Sequence, residues 1–239
     1  MRVPLVYPKI PDGKLCPLTK CIAYEKYDGT NLHWIWKRNS NKPNDGTWTH
    51  FGTRRDQFEL NEQGITDFNK AHPGLEEAVP IFNRTYRKLG SYPISHKYGP
   101  DVGNEVTLFT EFLGDKSFAG MHQSDDPKRL ILIDVSVTYK NVGMVDPSQF
   151  CIDYGHFDDH PKNQAGSKIP EYHFSRFIYE GKYTGQFVED VRTGKYNVGE
   201  GVVCKGMYAG KVHMVKIKTN AYMERLKVEF KDKWKNYWE

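Results

Sequence analysis

Lys26, Asp28, Glu111, Glu200, Lys216 and Lys218 are the residues of this 239-residue chain whose types and spacing could do chemistry. In Glu25-Lys26-Tyr27-Asp28-Gly29-Thr30-Asn31 a lysine stands beside an acid at a turn. Such a lysine can act as a covalent nucleophile if its neighbours hold it unprotonated. Alone, one K-x-D-G string arises by chance in roughly one chain of this size in ten, and a surface lysine beside an ordinary turn would explain it. Four later segments change that balance. Glu111 lies in Thr107-Leu108-Phe109-Thr110-Glu111-Phe112-Leu113-Gly114, and Leu130-Ile131-Leu132-Ile133-Asp134 reads as a buried strand ending in an acid. Glu200 opens Glu200-Gly201-Val202-Val203-Cys204-Lys205. Val215-Lys216-Ile217-Lys218 sets two lysines at i and i+2, hence on one face of a strand. Taken singly, a charge-guarded edge strand explains Lys216 and Lys218, and a surface glutamate explains Glu200.

The elements that must position these residues follow from hydrophobic period and turn chemistry. Cys21 to Tyr24 reads as a short strand, and Leu32, Trp34 and Trp36 alternate as in a half-buried one. Asp28-Gly29 between them predicts a hairpin with Lys26 at its mouth. A proline-punctuated lead-in over residues 1–20 and a polar loop from Asn39 to Gly46 flank this pair. Thr47 to Phe51 alternates again and runs into Arg54 and Arg55; Leu75 to Leu89 has helical spacing, with Pro80 expected to distort it. Val106 to Leu113, Leu130 to Val137, Glu200 to Lys205 and Lys211 to Lys218 read as strands, with a loop from Gly90 to Asn104 and another from Gly114 to Lys128. A short helix is expected from Asp146 through Tyr154, and Ile178 to Val191 is ambiguous, with helical spacing at its end. Asn220 is the expected N-cap of a last helix. Its apolar face is Met223, Leu226, Phe230, Trp234 and Tyr237, and Lys227, Lys231 and Lys235 form a solvated face in preference to an RNA track. The result is a mixed α+β chain built on antiparallel sheets, without repeat, low-complexity tract or linker.

Composition narrows the setting. A formal charge of +4 and a sequence pI near 8.7 suit a nucleic-acid partner without demanding one. No apolar run is long enough for a signal peptide or a membrane span. Cys16, Cys21, Cys151 and Cys204 show no C-x-x-C pair, so reduced thiols in an intracellular, cytoplasmic protein are expected, with a Cys16–Cys21 disulfide the less favoured alternative. Asp153, His156, Asp158, Asp159 and His160 could be drawn as a metal site; Pro161 and the acidic, glycine-bearing context favour a solvated loop.

The ordered set resembles a known superfamily, the covalent nucleotidyltransferases that include polynucleotide ligases and mRNA capping enzymes. Their order is a K-x-D/H-G motif, an Arg-bearing strand, an acid-bearing strand, a hydrophobic-acid strand, E-G-x-V-x-K and K-x-K. All six occur here in that order from Lys26 to Lys218. The resemblance implies an α+β nucleotidyltransferase (ATP-grasp-like ligase) domain, antiparallel sheets with flanking helices, as a single domain over residues 1–239. Asn31 matches the K-x-x-G-x-N of nick-sealing RNA ligases of the bacteriophage type, where DNA ligases and capping enzymes carry K-x-D-G-x-R. Asp28 stands where many of those phage enzymes have histidine. One helix follows the K-x-K strand, which leads to the expectation of a monomeric catalytic domain without an appended OB-fold domain, or with one supplied in trans.

That family implies ATP, Mg²⁺ or Mn²⁺, and RNA with a nick or broken ends. Lys26 would attack the α-phosphate of ATP and carry AMP, which then passes to an RNA 5′-phosphate and is released when a 3′-hydroxyl attacks. A free lysine titrates near ~10.4; Lys216 and Lys218 would lower that value for Lys26 and neutralise the α-phosphate. By resemblance Glu200 is the metal carboxylate and Glu111 the ribose contact. Arg54, with Arg55 as the fallback, binds ribose or the leaving phosphate. Ile133 stands where relatives often stack an aromatic on adenine. Asp28 belongs near metal and 3′ end, Asn31 near the 5′-phosphate, and Glu25 in the nucleotide-binding set. The rivals are a minimal ATP-dependent DNA ligase, a capping guanylyltransferase and a catalytically inactive nucleic-acid-binding module.

Overall fold

The computed structural model describes residues 2–4, 6–39, 42–90, 105–114, 127–137 and 173–236. Asp28-Gly29 does not close a hairpin. Strand β1 (Lys20–Lys26) and strand β2 (Thr30–Asn39) belong to different sheets. Both sides of β1 are already paired, one with the strand at 177–182 and the other with that at 201–208. Gly29 does not take the positive φ that a type I′ turn requires, and Asp28 is buried rather than exposed at a tip. The chain divides into two compact units, Met1–Tyr7, Thr30–Asp115 and Asp126–Phe174 in the first, Pro8–Gly29, Lys116–Asp125 and Ser175–Glu239 in the second.

The first unit is a five-stranded antiparallel sheet in the order β4-β3-β2-β5-β6, with β3 (Lys42–Thr53), β4 (Gln57–Glu59), β5 (Glu105–Leu113) and β6 (Arg129–Val137). The expected polar loop at 39–46 is largely strand, because β3 starts at Lys42 and pairs back onto Asn39 through a bulge. Strand β2 is central, so it is not half-buried: Leu32, His33, Trp34, Ile35 and Trp36 are all buried. Helix α1 (Glu62–Ala71), which the sequence reading left unassigned, is capped by Asn61 and buries Phe68; helix α2 (Ala78–Thr85) buries Val79, Ile81 and Phe82. Pro80 leaves α2 intact because it lies in the first turn, where its missing N–H has no intrahelical partner to lose. Trp34 stacks on Phe82 at 3.9 Å between centroids and on Phe51 at 5.5 Å, at the centre of an aromatic core.

The second unit is a four-stranded antiparallel sheet in the order β7-β1-β8-β9, with β7 (Phe177–Lys182), β8 (Gly201–Tyr208) and β9 (Lys211–Lys218). The ambiguous stretch after Ile178 resolves into β7 followed by helix α3 (Gly185–Arg192), capped by Thr184. Phe187 and Val191 of α3 pack with Ala23, Val202, Cys204, Val215 and Ile217, so one sheet face is the core. Helix α4 (Asn220–Phe230) is capped by Thr219, not Asn220: the Thr219 hydroxyl accepts from the Tyr222 amide at 3.1 Å. Its buried face is Tyr222 and Leu226, with Met223 and Phe230 packed beside it. The helix stops at Lys231, whose φ of 46° turns the chain into a 3-10 segment, Lys231–Asn236, so Trp234 does not continue the helical stripe.

Cys16, Cys21 and Cys204 are free thiols. Residues 91–104 and 115–126 of the expected loops, the expected helix at 146–154, the Asp153–His160 cluster, Cys151 and Tyr237 lie outside the described residues. Among the described residues no helix is long and apolar enough to cross a membrane.

Candidate active site

In the second unit the strand registers set Lys26 opposite Gly201 and Gly201 opposite Lys218, while Val203 lies opposite Lys216. Directly opposed residues share a face, so all three lysines stand on the side of the sheet away from the Phe187 core. Gly201 is obligatory for this pairing: a Cβ there would run into the carbonyl oxygen of Ile217. Strand β9 is held at its other edge by the lead-in, where the Lys216 amide donates to Pro11 at 2.9 Å.

Glu200, 3% exposed, stands just before β8 and serves two of the lysines. Lys26 Nζ donates to its Oε2 at 2.8 Å, and Lys218 Nζ lies 3.4 Å from its Oε1. Lys216 is 6% exposed, and no carboxylate of the described residues pairs with it. Burial, then the charges of Lys218 and Lys26, bring its pKa down from 10.5 to about 8, against the pull of Glu200. Burial also lowers Lys218, with Glu200 opposing and Lys26 adding to the shift. Two ammonium groups thus share one carboxylate, with Lys216 beside them in a half-dry site. That arrangement favours an anion, because each cation raises the cost of charging the next.

The geometry departs from expectation at Lys26 itself. A carboxylate at 2.8 Å favours the protonated lysine, so Lys216 and Lys218 are not the only influence on the amine. Asp28, 5% exposed, accepts a hydrogen bond from the Tyr222 hydroxyl at 3.0 Å, and Lys218 sits 5.0 Å from the centroid of the same ring. Tyr222 therefore ties the acid of the K-x-D-G string to the second lysine of the K-x-K pair. Sequence reasoning missed it; the Tyr222–Leu226 spacing of i, i+4 was the available signal.

Arg176 was missed as well, and nothing in its sequence context points to it. The Glu25 amide donates to the Arg176 carbonyl at 2.8 Å and the Ser175 hydroxyl to the Glu25 carbonyl at 2.8 Å. The Arg176 amide donates to the Tyr27 hydroxyl at 3.2 Å. Its guanidinium binds Glu25 Oε2 at 2.8 Å and the Asn197 carbonyl at 2.7 Å. Both chain neighbours of Lys26, and the loop leading to Glu200, are fixed by this one segment. The carboxylate of Glu25 is engaged here rather than left for a nucleotide alone.

The remaining predicted residues fall in the first unit. Asn31 lies directly opposite Glu111, and Glu111 opposite Ile131, on β2, β5 and β6. Asn31 Oδ1 and Arg54 Nε are buried without a hydrogen-bond partner; buried polar atoms of that kind call for an explanation. Asp134 is not at a strand end but mid-β6, where Tyr7 donates to its Oδ2 at 2.6 Å. Burial and then Asp134 push the Tyr7 phenol well above its ordinary range, with Glu111 adding and Arg54 opposing, so these groups share one electrostatic neighbourhood. Ile133 is partly exposed on β6, and Arg55 is exposed where Arg54 is half-buried, which favours Arg54 over the fallback.

Among the described residues no three of His, Cys, Asp and Glu cluster as a ready-made metal site. A lone buried Glu200 fits a hard divalent cation that takes most of its ligands from phosphate oxygens and water, and does not fit a tight all-protein cage.

No protein-family model and no curated protein sequence matches this chain. Solved structures do. A Naegleria gruberi RNA ligase variant with ATP and Mn superposes with a TM-score of 0.54 at 14% identity, covering 94% of this chain and 59% of that one. The same ligase with PPi gives 0.54 at 14% identity, covering 95% and 60%, and a variant with AMP and Mn gives 0.53 at 14%, covering 94% and 59%. The chain therefore spans about three-fifths of the length of those proteins. At this identity the likeness speaks to fold, the mixed α+β arrangement of antiparallel sheets found in an RNA ligase.

Proposed function

We propose that this chain is an ATP-dependent RNA ligase of the covalent nucleotidyltransferase superfamily, close to the nick-sealing type, carrying AMP on Lys26. The observation that bears most weight is the Lys26–Glu200–Lys218 cluster with Lys216 beside it on one sheet face. It occurs in a fold shared with an RNA ligase whose structures hold ATP, AMP and Mn.

The chain's own residues suit the chemistry. Transfer begins when the Lys26 amine, having given its proton to water, forms a bond to the α-phosphorus as the bond to pyrophosphate breaks and pyrophosphate leaves with the electron pair. Lys216 and Lys218 stand where charge would build on the non-bridging oxygens, and neither must be recruited from water at that moment. Lys216 is already partly discharged at neutral to mildly alkaline pH, so an arriving phosphate would raise its pKa and complete its charge. Glu200 would hold a divalent cation, which would supply positive charge toward the phosphate. Lys216 and Lys218 favour the neutral amine of Lys26, and its bond to Glu200 opposes them. Tyr222 holds Asp28 for the later steps, and Arg176 holds the Glu25 backbone and the Tyr27 side chain on either side of Lys26. The unpaired Arg54 Nε and Asn31 Oδ1 suit the ribose, phosphate or 5′-end contacts that the resemblance implies for them. Glu111, Ile133 and Glu25 keep their nucleotide-binding roles in the same reading.

The test is covalent labelling with α-labelled ATP and Mg²⁺ or Mn²⁺. A labelled protein band is expected from the wild type and none from Lys26→Ala. Absence of label with every nucleotide and metal would falsify the enzyme reading. Joining assays on RNA and DNA ends then separate an RNA ligase from a DNA ligase, and labelling from GTP alone would indicate a capping-type enzyme.

A further inference from the structure

The sheet face that carries Lys26 continues well past the transfer cluster. Beyond the Lys26–Gly201–Lys218 row, the registers give Phe177–Tyr24–Val203–Lys216 and then Glu180–Ile22–Lys205–Met214. The last row sets Lys182 opposite Lys20, and Met207 opposite Val212. Six lysines (Lys20, Lys26, Lys182, Lys205, Lys216 and Lys218) therefore share one face with two aromatic rings. Among the described strand residues, Glu180 is the carboxylate that shares it. Phe177 is 56% exposed and Met207 65%, large apolar groups left in water on a charged face. Phe177 meets the Tyr24 ring edge-on at 6.4 Å, and Lys205 Nζ stands 5.3 Å from the Tyr24 centroid. From Lys26 to Lys20, β1 runs roughly 20 Å, enough for a few nucleotides.

We propose that this face holds a single-stranded stretch of RNA next to its reacting end, with Phe177 and Tyr24 as platforms for bases and Lys20, Lys182 and Lys205 as phosphate contacts. This rests on the ligase reading above, with a substrate whose reacting end is unpaired, as at broken RNA ends, rather than a fully paired nick. Unstacked bases offer π-faces to an exposed ring such as Phe177 and a half-buried one such as Tyr24 whatever their sequence, and a row of lysines tracks the backbone between them. A protein partner would meet a surface whose centre is depleted in charge, the reverse of what stands here. Lys205, the last residue of the E-G-V-V-C-K string, thereby gains a role that the transfer chemistry does not give it.

The experiment is an anisotropy titration of full-length protein with a fluorescein-labelled, 5′-phosphorylated single-stranded RNA over a range of salt. The variants change exposed side chains: Phe177→Ala, and the pair Lys20→Ala with Lys182→Ala. Phe177→Ala is expected to weaken binding about 5- to 100-fold, the loss of one stacked base. The lysine pair is expected to lower the slope of log K against log salt by about 1.4, that is about 0.7 for each lost phosphate contact on a single strand. Labelling from α-labelled ATP is read in parallel and is expected to persist in all variants. Affinity and slope unchanged in the variants, or wild type that takes label yet does not bind RNA, would overturn the proposal. An equal lysine-pair effect on polyvinyl sulfate together with no effect of Phe177→Ala would overturn it too, leaving charge without base recognition. Variants that lose RNA affinity while no form of the protein takes label would support the RNA face and sink the ligase reading instead.

Discussion

The two sheets spend their side chains differently. In the first unit, the central strand β2 is buried on both faces, and its rings stack into an aromatic core around Trp34. In the second, one face is core and the other gathers Lys26, Lys216 and Lys218 about a single carboxylate. Burial stabilises the first arrangement, since apolar area is removed from water at little electrostatic cost. The second is stable despite its charges, and like charges held close in a half-dry site are how a protein keeps a group ready to react.

Substitutions should therefore separate the two regions cleanly. The largest effect belongs to Lys26: Lys26→Ala and Lys26→Arg should each cost on the order of 10⁴-fold or more in protein labelling. Arginine fails because it keeps its proton. Chemical denaturation should find little change in stability. Trp34→Ala is the converse. It removes a fully buried ring and the Nε1 bond to Thr110 at 2.9 Å, and should lose about 3–5 kcal/mol in a urea titration. A Trp34→Ala protein with wild-type stability would break the comparison.

Lys216→Met sharpens it by moving stability and function in opposite directions. The folded Lys216 pKa of about 8 lies below its ordinary 10.5. Between those values the unfolded chain binds more protons, so stability rises with pH across that window and the full penalty applies below it. Lys216→Met should flatten part of that rise and stabilise the protein at pH 7, by up to a few kcal/mol. On the ligase reading, labelling should fall about 100-fold or more, the effect expected for a cation that stabilises the transition state. The smallest effect is expected from Tyr222→Phe, which deletes one bond to a buried carboxylate. About 1–3 kcal/mol in melting or urea experiments is the expected loss. Lys218 should remain in place, since the ring beneath it is kept.

Much of how the second unit places its charged residues was legible in order and period. The i, i+2 spacing of Lys216 and Lys218 required one face, and the E-G-V-V-C-K string required a strand whose glycine allows close backbone approach. The paired strands β5 and β6 were equally readable, since apolar and β-branched residues dominate each. The Asp28-Gly29 hairpin was not, because a turn signal is local and whether two strands pair depends on which edges are already taken. Helix α1 went unread because only Gly64 and Phe68 of it are buried, which leaves little periodic signal. Thr219 and Asn220 are both good caps, and only backbone geometry chooses between them.

By itself, the order of residues determined which side chains could react and which strands would bear them, since side-chain type and a period of two are properties of the chain. Tertiary structure alone decided that Glu200 binds Lys26 and Lys218 together, that Tyr222 reaches Asp28, and that Arg176 braces both sides of Lys26. The partners in these contacts are 18 to 194 residues apart in sequence. No local preference encodes contacts of that span; they exist because folding brings distant strands edge to edge and leaves buried polar groups to find one another.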